Sequence, residues 1–131
     1  MLNSLWNFRL SVMLTLIIGV VCLVPIPETP LQDVRFIDKY THVLMYWGYA
    51  SVLWGETVHR NRGGSFPLQN YLVCFLFPIL LGGLIEVCQA CLTTSRNGDF
   101  TDFLANAFGV LISLPFGWGL QHFFKTHPSS F

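Results

Sequence analysis

The stretch Leu81-Gly82-Gly83-Leu84-Ile85-Glu86-Val87-Cys88-Gln89 decides the fold, read with the two segments that follow it: Arg96-Asn97-Gly98-Asp99-Phe100-Thr101-Asp102 and Phe103-Leu104-Ala105-Asn106-Ala107-Phe108-Gly109. From Phe66 to Ile85 there is no charged side chain. Glu86 therefore sits at the end of a run apolar enough to cross a bilayer, where a carboxylate must be neutral, paired or functional. Asn97-Gly98 is a turn signal. Beyond it, Asp102, Asn106, Gly109 and Ser113 recur at helical spacing. A polar, small-residue stripe of that kind turns toward a helix bundle rather than toward lipid.

Composition extends this reading to the whole chain. Of 131 residues, 53% are hydrophobic and 11% charged, against about 25% charged in soluble domains. Lys+Arg and Asp+Glu are both 7, so no basic surplus points to a nucleic acid partner. The expected fold is all-α, a polytopic membrane bundle of four transmembrane helices forming one domain over 1–131. A span needs about 20 largely apolar residues. The chain accommodates helices over about 8–24, 38–58, 67–92 and 100–121. The first resembles a signal-peptide core, but Arg9 is its only basic residue and no small-residue cleavage site follows, so it is read as a retained helix. Pro25, Pro27 and Pro30 end it. Pro78 is expected to bend the third helix. Pro115, Gly117 and Gly119 are expected to weaken the end of the fourth, with Lys125 and His127 in a frayed tail.

Basic residues set orientation. Arg9, Arg60, Arg62 and Lys125 lie at one end of the bundle, and the opposite loops hold more acid than base. The expected location is the bacterial cytoplasmic membrane, with both termini cytoplasmic. The start of the second helix, the end of the third and the start of the fourth then meet at the outer face. They carry Asp38, Lys39, His42, Glu86, Gln89, Arg96, Asp99, Asp102 and Asn106. Asp38, His42 and Tyr46 share a helix face at four-residue spacing. The charges at the inner ends read as ordinary loop charges.

Each candidate carries a plain reading beside a chemical one. Glu86 can lock onto Arg96 or Lys39, share a proton with Asp102, or bond Gln89 one turn on. It can equally serve a site. His42 is the candidate general base, and a neutral imidazole bonded to Asp38 or Tyr46 is the plain alternative. Arg96 offers a planar fork for phosphate or carboxylate, or neutralises Asp99 and Asp102. Asp38, Glu86, Asp99 and Asp102 with His42 are hard ligands that would suit a divalent cation. No zinc spacing appears, so no cofactor is predicted. Cys88 and Cys91 form a C-x-x-C read as helix packing.

Asp38-Lys39-x-x-His42 with Tyr46, Glu86-x-x-Gln89, and Arg96-x-x-Asp99-x-x-Asp102 with Asn106 and Gly109 together resemble the VanZ-like family of small bacterial membrane proteins. The resemblance runs from about Phe36 to Ser113, and its specificity lies in the order and spacing of the motifs between spans. It implies a cell-envelope role, and its name-giving member implies low-level resistance to the glycopeptide antibiotic teicoplanin.

Three functions are open. The first is a site for the anionic head group of a membrane lipid or lipidated amphiphile, with Asp38, Lys39, Tyr46, Gln89, Arg96, Asp99 and Asn106 as binding residues. The second is an intramembrane hydrolase or group-transfer enzyme acting on an envelope lipid, with His42 as base, Glu86 or Asp102 as acid and Arg96 as anion clamp. The third is a structural subunit of an envelope complex or a homo-oligomer.

Overall fold

A computed structural model describes residues 2–25, 30, 36–61, 64–94 and 98–127. Among these residues every regular element is a helix. The helices are α1 (Leu2–Asn7), α2 (Arg9–Leu23), α3 (Ile37–Arg60), α4 (Leu68–Leu92) and α5 (Phe100–Thr126). Helices α4 and α5 are long and apolar enough to cross a membrane. Helix α2 has 15 residues and reaches about 22 Å at 1.5 Å per residue. Helix α3 has 24 residues but carries charge at both ends.

Helices α3 and α5 run parallel, with Lys39 beside Asp102, His42 beside Asn106 and Trp54 beside Gly117, and form the most extensive interface. Its closeness follows from small residues at four-residue spacing: Ala105, Gly109, Ser113 and Gly117 are all buried. A Cβ on Gly109 would lie 2.4 Å from the Val43 carbonyl oxygen and 3.0 Å from the Trp47 nitrogen. Backbone lies against backbone there, as small residues allow between helices in lipid. A Cβ on Gly117 would lie 2.2 Å from Trp54 Cδ2. Gly117, expected to weaken the helix, instead seats the buried Trp54 ring. Helix α5 runs unbroken through Pro115 to Thr126, and Lys125 belongs to its last turn rather than to a tail.

Pro78 is accommodated by a local change in the helix. Helix α4 contains a π-helical segment, Leu72–Leu76, in which the Phe77 amide bonds Leu72 O, five residues back. Proline lacks the amide donor and crowds the carbonyl of the preceding turn. A widened turn one step earlier relieves that crowding inside a continuous helix. Cys74, in the widened turn, packs against α3, its thiol 3.3 Å from Thr57 Oγ1.

Polar side chains are buried beside an apolar core that includes Tyr49, Leu53, Trp54 and Val110, and many large apolar side chains face outward. The interior includes Ser11, His42, Thr57, Glu86, Gln89, Asp102, Asn106 and Ser113. The outer faces expose Leu80, Leu84, Val87, Leu104, Phe108 and Leu111. Glu56 lies within α3 and reaches the start of α2. It accepts the Leu10 and Ser11 amides at 2.9 and 3.1 Å and the Ser11 hydroxyl at 2.5 Å. The first amides of a helix have no partner within it, and a carboxylate at that end is favoured by the helix dipole.

Candidate functional site

Three helix ends build the polar cluster. The first turns of α3 supply Asp38, Lys39 and His42, and Tyr46 follows one turn deeper. The last turns of α4 supply Glu86 and Gln89. The start of α5 supplies Asp99 as N-cap, then Asp102 and Asn106. Asp99 caps because its Oδ1 accepts the Thr101 amide at 2.9 Å, satisfying one donor that the helix leaves open.

His42 is at the centre. Its Nδ1 bonds Asn106 Oδ1 at 2.8 Å within the core. With the amide oxygen accepting, Nδ1 carries the proton, so Nε2 of the neutral ring keeps its lone pair. That nitrogen lies 3.9 Å from Asp38 Oδ1 and 3.8 Å from Asp102 Oδ2. These separations are too long for hydrogen bonds. The three ligand atoms fall within 4.8 Å of one another, a spacing that a cation can gather. Asp38 is exposed, whereas His42 and Asp102 are buried.

Lys39 spans the other side. Its ammonium lies 2.9 Å from Asp99 Oδ2 and also pairs with Asp102 Oδ1. The Lys39 ammonium and the Thr101 amide hold the Asp99 carboxyl down at about 2. Lys39 therefore faces two carboxylates in place of an incoming anion. Counted over the described residues, the cluster holds Asp38, Glu86, Asp99 and Asp102 against Lys39, so it is acid-rich.

Glu86 is only 7% exposed. Its Oε2 accepts the Asp99 amide at 3.1 Å, tying the end of α4 to the start of α5. Gly98 permits this approach, since a Cβ there would lie 2.3 Å from the Glu86 carbonyl oxygen. The Asn97-Gly98 pair signals a turn; the contact with Glu86 has no signature in the sequence. Gln89 turns the other way, and its Nε2 donates to Cys22 O at 2.7 Å, fastening α2 to the bundle.

Three buried polar atoms in this region have no partner among the described residues: Glu86 Oε1, Asn106 Nδ2 and the Tyr46 hydroxyl. Tyr46 and Asn106 converge over Gly82, whose added Cβ would lie 3.3 Å from Tyr46 Cε1 and 3.2 Å from Asn106 Nδ2. Leaving buried polar groups unpaired costs about 1–3 kcal/mol each. Three together are an acceptor and donor set open to a ligand or water.

The structure thus brings His42, Asp38, Lys39, Asp99, Asp102 and Asn106 together, joins Glu86 through the Asp99 amide, and turns Gln89 aside to α2. Arg96 lies outside the described residues. Cys91 is exposed and Cys88 half-buried, so this pair is less enclosed than its apolar setting suggests. No family model, no curated protein and no solved structure matches the chain.

Proposed function

We propose that the chain is a VanZ-like, four-span protein of the bacterial cytoplasmic membrane, and that its polar cluster receives the head group of an envelope lipid or lipidated amphiphile. The observation that carries this reading is the cluster of unpaired, buried polar atoms on Tyr46, Glu86 and Asn106, among helix ends whose outer faces are apolar. Helices α4 and α5 supply the long apolar spans. Helix α3 completes its span by burying its polar face, and α2 is held in place through Glu56 and Gln89.

The head group meets the unpaired donors of Tyr46 and Asn106, with its chains along the apolar faces of α4 and α5, and Arg96 is carried over from the sequence alone as its anion clamp. Mass spectrometry of lipids retained after gentle purification tests this, comparing the unaltered chain with Arg96→Ala and Asn106→Leu. A defined polar lipid retained only by the unaltered chain is the expected result. The same bulk lipids in all three samples, with each variant folded, would move the cluster to a structural role.

A second reading follows from the His42 tautomer. A divalent cation held by Asp38, His42 and Asp102 would bridge the acid-rich cluster to an anionic head group, or polarise a water for hydrolysis of an envelope lipid. Binding of Mn2+ followed by electron paramagnetic resonance is expected for the unaltered chain and lost in His42→Ala. Equal binding by both proteins would remove the metal reading.

A further inference from the structure

The opposite end of the bundle carries a second polar cavity that the cluster does not use. It lies where α3 ends, α4 begins and α5 ends, has a volume of about 160 Å3, and is lined in part by Asn61, Phe66, Trp118, Gln121, His122 and Lys125. Two of its polar atoms are buried without a partner among the described residues, Asn61 Nδ2 and Gln121 Nε2. Both are amide nitrogens, and so both are donors. The Gln121 orientation has a reason: its Oε1 accepts the Tyr71 hydroxyl at 3.4 Å, which turns Nε2 away. The Lys125 ammonium adds further donors and a positive charge. A cavity whose unpaired groups are donors beside a cation calls for an acceptor-rich anion.

Trp118 and Gln121 also line a second space. This is a groove of about 430 Å3, walled by Trp54, Tyr71, Leu114 and Pro115. Its shape is set by packing: Trp54 stacks on Phe66 at 5.7 Å and meets Tyr71 edge-on at 5.8 Å, while Gly117 leaves room for the indole. Pro115 and Leu114 lie three turns into α5 from its end, toward the middle of the apolar span. A donor-lined chamber at a helix end thus continues into an apolar trough along α4 and α5.

We propose that this compartment binds one anionic glycerophospholipid, with its phosphate between Asn61, Gln121 and Lys125 and an acyl chain in the trough beside Trp54, Trp118 and Pro115. A free anion would satisfy the donors but leave the trough empty. An uncharged lipid would fill the trough but bring no charge to pair with Lys125. This site is separate from the polar cluster and does not depend on the role given to it.

Tryptophan quenching reads both halves of the site, because Trp54 and Trp118 line it. The full chain carrying Trp6→Phe and Trp47→Phe, so that only those two indoles report, is placed in phosphatidylcholine nanodiscs. Chain-brominated phosphatidylglycerol or chain-brominated phosphatidylcholine is then added at equal mole fraction. Stronger quenching by the anionic lipid is expected. Lys125→Gln should lower that preference about fivefold, the effect of one basic residue facing anionic lipid. Gln121→Glu keeps the shape and the Tyr71 bond while placing negative charge at the phosphate, and should abolish the preference. Equal quenching by the two lipids overturns the proposal, as does a preference that survives both substitutions. Protection of the indoles by inorganic phosphate alone, with no lipid preference, would make this a free-anion site and also overturn it.

Discussion

His42 shows how one side chain gains a role from a neighbour remote in sequence. The Asn106 oxygen accepts from Nδ1, and that bond turns Nε2 toward Asp38 and Asp102. Asn106→Leu should release that ring and cost about 1–3 kcal/mol, the range for leaving a buried polar group unsatisfied, measured by thermal denaturation in detergent. Asp99 supports a pH prediction. Its carboxyl falls from 3.8 to about 2, with Lys39 the leading cause. The tie to Lys39 is therefore fully present above pH 3.8 and is lost as pH falls through about 2. A carbon-13 titration of the Asp99 carboxyl should show this midpoint, and Lys39→Met should return it toward 3.8. Glycine positions differ in the same way. Gly109→Ala meets backbone at 2.4 Å, whereas Gly83→Ala meets the edge of the Phe103 ring at 3.3 Å. Overpacking against backbone should cost about 1–3 kcal/mol, so Gly109→Ala should lower the melting temperature and Gly83→Ala should change it far less.

Helices here are completed by one another. The N-terminal amides of α2 are capped by Glu56 of α3 rather than by a local Ser, Thr, Asp or Asn. Glu56→Ala should destabilise the protein by about 0.5–2 kcal/mol, as loss of a helix cap does. Faster hydrogen exchange should be confined to the first turns of α2; exchange that rises equally across α3 and α5 would contradict this cap. Helix α4 absorbs Pro78 through its widened turn, and α5 carries Pro115 on an exposed face while Gly117 packs beneath Trp54. Pro78 and Gly117, which weaken an isolated helix, are both buried where neighbouring helices pack against them.

The bundle has two chemically unlike ends. One gathers carboxylates around His42 and Lys39; the other presents amide donors with His122 and Lys125. On the proposed topology, the basic bias would put the second end in the cytoplasm. In a chain cleared of its native cysteines, Thr94→Cys should react with an impermeant thiol reagent in intact cells, and Ser65→Cys only after lysis. Both positions are exposed, so the reverse pattern would turn the protein over.

Helical class, apolar spans and the inward stripe of Asp102, Asn106, Gly109 and Ser113 were legible from periodicity, because residues four apart must share a face. The convergence of Asp38, Lys39 and His42 with Asp99 and Asp102 followed from alternating the helices across a membrane. Pairings within that cluster did not. Nothing in spacing tells Gln89 to reach Cys22, Glu86 to take the Asp99 amide, or Glu56 to cap α2, because each bond joins separate segments and depends on how the helices rotate and slide. Gly98 and Gly117 read as a turn and a weak point, since a glycine's value in a close contact appears only with the atoms opposite it. Periodicity chose the faces of these helices; tertiary packing chose their partners, because a helix face admits many neighbours and only the assembled bundle leaves room for one set.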